Sequence, residues 1–210
     1  MGLSNASASN RAIILAALAI VSAILSSFAW HDGILWTPRL VIWDVPVLPG
    51  LFFGTVLALA IWLWASQRIF GIAAILVLTV LAWIAAAKTA EYALEYFGKM
   101  LEEIAAPGKP RTINFLVAVC GVLGGLVGST TLTFSLSLLC KEFGRFENWA
   151  RIVMPGTALG VLLELLAKDD KLPVHIGSIL PLFLAWQVTV AAVIGYCIVP
   201  RSGDSKPVPQ

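Results

Sequence analysis

Residues 113–140 read INFLVAVCGVLGGLVGSTTLTFSLSLLC, and none of these 28 residues carries a charge. A run this long and this apolar has few places to go. A helix rises 1.5 Å per residue, so about 20 residues cross the ~30 Å hydrocarbon core of a bilayer. Inside lipid there is no water to pair with the backbone, and a helix satisfies every N–H and C=O within its own segment. This stretch therefore predicts a membrane-spanning helix, and it limits what its neighbours can be.

Five more stretches meet the same test: 12–30, 47–65, 69–87, 149–167 and 176–199. The penultimate one holds Arg151 near its start and Glu164 near its end. Hydrophobic residues make up 59% of the chain and charged residues 12%. Soluble domains average about 45–50% and ~25%, so too few polar side chains exist to cover a water-facing surface. The pattern predicts an all-α fold: a polytopic transmembrane helical bundle of about six spans, in one transmembrane domain over 1–200. The first run is longer than the ~7–15 apolar residues of a signal peptide and ends in Phe28-Ala29-Trp30, so it reads as an uncleaved helix.

The connections add detail. Ser66-Gln67-Arg68 is short enough to force an antiparallel hairpin between the second and third spans. The first loop carries Trp30, Trp36 and Trp43 beside charged residues, a composition suited to the headgroup layer. Along 88–106, Ala90, Leu94, Phe97, Leu101 and Ile104 recur at helical spacing, with Lys88, Glu91, Glu95, Lys99 and Glu102 on another face. That is an amphipathic helix, free to continue the third span and ended by Pro107-Gly108. Its excess of glutamate suits packing on the bundle or on a partner protein better than anionic lipid. The tail 201–210 has no apolar face and is expected to be disordered.

Four features inside the spans call for a reason. Gly121 and Gly125, and again Gly124 and Gly128, have the G-x-x-x-G spacing that lets another helix approach closely. Alternatively, Gly124-Gly125 interrupts the helix, and a half-helix beginning near Gly128, capped by Ser129 or Thr130, presents free N–H groups to a solute. Ser129, Thr130, Thr131 and Thr133 would then supply hydroxyl contacts. Gln187 lies near the centre of the last span and needs polar partners there. Glu164 either faces the interior or pairs with Lys168 at i+4 and snorkels to the surface.

Several function classes find no support. No G-x-S-x-G, H-E-x-x-H, Walker A or G-x-G-x-x-G pattern occurs. The three cysteines have no C-x-x-C spacing, and His31 and His175 have no carboxylates spaced to complete a metal site. The net charge of +2 includes no basic stripe for nucleic acid. The expectation is thus a non-enzymatic integral membrane protein of the bacterial inner-membrane type, without cofactor or metal. It binds or passes a small polar solute or ion through Ser129, Thr130, Thr131, Thr133, Gln187 and Glu164. The alternative is a non-catalytic subunit or scaffold joined to a partner, or to a second copy, by the amphipathic linker and helix faces. Basic residues tie at seven on each side, and the compact cluster at 141–151 tips both termini toward the cytoplasm.

Overall fold

The computed structural model describes residues 6–30, 41–42, 45–65, 69–104, 111–162 and 176–198. Of these, 94% are helical, which makes the chain all-α. The helices are α1 (Ala8–Trp30), α2 (Leu48–Ala60), α3 (Ile69–Ile104), α4 (Arg111–Leu139), α5 (Phe146–Leu159) and α6 (Ile176–Cys197). A π-helical segment, Ile61–Ala65, lengthens α2, and one 3-10 turn at Gly160–Leu162 lengthens α5. Among the described residues five helices are long and apolar enough to cross a membrane; α5 is shorter, and 163–167 of its expected span lie outside them. A two-residue ladder, β1 (Val41–Ile42) with β2 (Val45–Pro46), precedes α2 and is held to α3 by Trp83 Nε1 donating to the Pro46 carbonyl at 2.8 Å. The Trp36 and Trp43 of the expected headgroup loop, and the tail 201–210, lie outside the described residues.

The outer surface identifies the solvent. Ile13, Val77, Phe115 and Leu138 all stand exposed within apolar spans. A surface of this kind would aggregate in water and is at home among lipid tails.

Each helix packs on its predecessor and its successor, and α6 closes back on α1 to make a ring. Small residues set the contacts. At Gly50 of α2 an added Cβ would lie 2.9 Å from the Val80 Cα of α3. Gly124 and Gly128 of α4 meet Ala82, Ala86 and Ala90 of α3. On another face of the same helix, Gly125 lies against Gly156 and Thr157 of α5, and Gly121 against Gly160. Gly195 of α6 meets the backbone of Arg11 and Ala12 on α1. Lipid offers no hydrophobic drive between helices, so close van der Waals contact must supply the association.

The amphipathic segment is no separate helix. It continues α3 without a break, so α3 is 36 residues long, or about 54 Å. Since Ala86 and Ala90 touch Gly124, α3 beyond Ala90 runs antiparallel to the start of α4. The two form a projecting two-helix arm. Ala90 and Phe97 of the apolar stripe are half-buried, whereas Leu94 is exposed.

Helix α4 is likewise unbroken from Arg111 to Leu139, so no half-helix begins near Gly128. The glycines that would have interrupted it are covered by neighbouring helices. Substituting Gly160→Ala drives a Cβ into the Gly121 carbonyl and should cost about 3 kcal/mol. Gly98→Ala meets nothing within 4 Å and should gain about 1 kcal/mol from helix propensity. Reversible unfolding in micelles checks both signs.

Candidate functional site

The hydroxyls of α4 bond mainly to their own helix. Ser129 Oγ donates to the Gly125 carbonyl at 2.6 Å, with a longer contact of 3.5 Å to the Val153 carbonyl of α5. Thr133 Oγ1 donates to Ser129 O and Ser135 Oγ to Thr131 O, both at 2.7 Å. These i to i−4 bonds satisfy a hydroxyl in lipid without any second helix. Thr130 and Thr131 are half-buried on the same helix. Glu164 lies outside the described residues.

Gln187 faces elsewhere. It is only 2% exposed, and both ends of its amide are bonded to α1. Ser22 Oγ donates to Gln187 Oε1 at 2.8 Å, and Gln187 Nε2 donates to Ser26 Oγ at 3.0 Å. Ser22 and Ser26 are one helical turn apart, so a single amide bridges two successive turns of α1. The spacing Ser22-x-x-x-Ser26 in the uncharged run 12–30 is the signal in the sequence for this clamp, and the reading of single residues passes over it. Gly156-x-x-x-Gly160, the partner seam for Gly121 and Gly125, is equally readable and equally passed over.

A third polar contact lies at the end of the same pair of helices. Arg11 is buried, and its guanidinium donates to the carbonyls of Gly195, Ile198 and Ala6 at 3.3, 2.6 and 2.5 Å. The last turn of a helix leaves carbonyls without donors and carries partial negative charge, and a cation satisfies both. The contact also shows that α1 begins where α6 ends, on one face of the bundle.

Toward the middle of the ring, Phe53 and Trp186 pack with centroids 5.4 Å apart, and Leu132 is fully buried. They leave a cavity of about 20 Å³ lined by Phe53, Thr79, Trp83, Leu132, Trp186 and Gln187, with Pro49, Gly50 and Ala82 completing it. That is room for about one water molecule. None of the four α4 hydroxyl residues lines it. Among the described residues, Ser129 turns to α5 and Gln187 to α1, and of the candidate residues Gln187 lines this cavity. Thr157 Oγ1, at the Gly125 crossing, is buried without a hydrogen-bond partner. Cys120, Cys140 and Cys197 are buried free thiols.

The fold and its apolar exterior define a polytopic all-α integral membrane protein. Comparison with protein-family models, with curated proteins and with solved structures finds no match. Replacing Gln187 with Leu strands the hydroxyls of Ser22 and Ser26 and should lower stability by about 1–2 kcal/mol, near the upper range for buried bonds between membrane helices. Thermal unfolding of Q187L in micelles measures it, and an unchanged midpoint would mean the clamp carries no stability.

Proposed function

We propose that this chain is a non-catalytic membrane subunit that assembles with a partner protein through the arm formed by the end of α3 and the start of α4. The observation that carries this reading is the outer face of that arm. Tyr92 and Tyr96 are 63% and 64% exposed, beside exposed Glu91 and Glu95. Carboxylates keep this face out of the hydrocarbon, so lipid tails do not account for its aromatic rings. Exposed tyrosine among charges is the composition of a protein contact, where aromatic residues serve as anchors. The interior supports the same reading, since Gln187 and Arg11 are engaged in joining α1 to α6 and the α4 hydroxyls bond to their own backbone.

A second reading, the binding or passage of a small polar solute or ion, is favoured by one feature: the cavity that touches Thr79 and Gln187 near the middle of the ring. It requires Phe53 and Trp186 to separate. Flux of small polar solutes into proteoliposomes, absent from liposomes without the protein, would support it over assembly.

The assembly reading has its own test. Cross-linking in native membranes followed by mild-detergent purification should recover a complex. Combining Tyr92→Ala with Leu94→Ser should release the partner, yet change stability by no more than about 0.5 kcal/mol, as exposed substitutions do. A wild-type chain that stays uncross-linked and purifies alone would end this proposal.

The proposal includes a setting: a bacterial-type inner membrane, with both termini of the chain on the cytoplasmic side and the arm on the other. The cluster Lys141, Arg145 and Arg151 supports that orientation. A cysteine placed at Glu95 should react with an impermeant thiol reagent in intact cells. One at Gly144 should react only after permeabilisation, and the reverse pattern would invert the topology.

A further inference from the structure

We infer that the corner where α4 passes into α5 holds an anionic phospholipid, with its phosphate on Lys141, Arg145 and Arg151 and its acyl chains along Leu138 and Met154. The inference makes no use of the arm, which lies at the other side of the bundle. It begins with the corner itself. A 3-10 turn, Lys141–Gly144, joins the two helices. Phe143 of that turn is fully buried, and the buried Asn148 of α5 donates its amide to the Glu142 carbonyl at 2.8 Å. The connection is thus anchored to the helix that follows it. Lys141, Arg145 and Arg151 stand exposed on this anchored backbone.

The exposed residues also mark a depth. On the outer face of α4, Phe134 and Leu138 are exposed one turn apart, and the exposed Lys141 follows them. Helix α5 returns through the same layers in reverse order. Arg145 and Phe146 stand exposed at its start, Arg151 comes next, and Met154 is exposed below it. On both helices apolar side chains and cations meet within about one turn. Two helices of opposite direction change character at the same end of the bundle, so this level is the boundary between acyl chains and headgroups. A lipid there meets cations at its phosphate and apolar side chains beneath them.

Charge selects the occupant, and the balance holds over everything the chain places on this side. The segments that enter or leave helices here are 1–11, 66–68, 140–151 and 199–210. They carry seven basic side chains against three acidic. One of the seven, Arg11, is buried against α6, which leaves a surplus of three. The opposite side carries seven basic against nine acidic. Glu142 and Glu147 belong to the corner, so its own cations exceed its acids by one, and the neighbouring segments add to that surplus. Basic residues at a membrane surface attract anionic lipid. A zwitterionic lipid brings its own ammonium beside the phosphate and gains less. A second copy of the chain would set like charges against each other, because a twofold contact is self-complementary. An acidic protein segment would match the cations but not the apolar ledge beneath them, which lies at the depth of the acyl chains.

The test is native mass spectrometry of the full chain in non-ionic micelles, titrated with phosphatidylglycerol and with phosphatidylcholine of the same acyl chains. Phosphatidylglycerol should bind roughly tenfold more tightly, and the preference should shrink as ionic strength rises. Each of Lys141→Gln, Arg145→Gln and Arg151→Gln should lower that preference roughly two- to fivefold, while Arg145→Lys retains it. Lys99→Gln, an exposed change on the arm, should leave it unaltered. Equal affinity for the two lipids would overturn the inference, as would a preference that survives the three glutamine substitutions together. The same loss with Lys99→Gln would reduce the effect to net charge and overturn it as well. Displacement of the lipid by millimolar glycerol phosphate would replace it with a free anion, and displacement by a glutamate-rich peptide would replace it with an acidic protein.

Discussion

The bundle depends on how closely α4 lets its neighbours approach. Two faces of one helix have been cleared of side chains. Gly121 and Gly125 admit α5 at Gly160 and Gly156, while Gly124 and Gly128 admit the alanines of α3. Burying apolar surface against lipid-like surface yields little in a membrane, so contact distance is the available source of stability. The two seams cover the backbone of α4, which stays α-helical throughout, and this is why its glycines do not act as a break. The usual association of glycine with helix interruption assumes that the backbone is left open to something else. Here other backbones occupy it.

Most buried polar groups described in the spans are answered within the protein, Thr157 Oγ1 being the exception. The α4 hydroxyls turn back to their own carbonyls, the Gln187 amide joins two serines of α1, and the Arg11 guanidinium caps α6. Such groups look functional when read one at a time, because lipid makes each of them costly. Once their partners are seen they become the means by which α1 and α6 find their register and close the ring. The interior that results is filled at its middle by Phe53, Trp186 and Leu132. The arm is the opposite case, since Glu91, Tyr92, Glu95 and Tyr96 stand exposed on it.

The sequence by itself determined the helices. Spans read at 47–65, 113–140 and 176–199 correspond to the helices ending at Ala65, Leu139 and Cys197, because a membrane helix is specified by local hydropathy and length alone. The amphipathic run at 88–106 was legible for the same reason, as a periodicity within one segment. What only the tertiary structure decided is which helix each small or polar residue meets. Gly121 with Gly125 announces a close contact but not that Gly160 and Gly156 receive it. Gln187 announces a need for partners but not that they lie 161 and 165 positions away, at Ser26 and Ser22. A side chain's demand for a hydrogen bond or a close neighbour is written in its own chemistry. The identity of what meets it depends on the order and tilt of helices around the ring, which no local window of the chain contains.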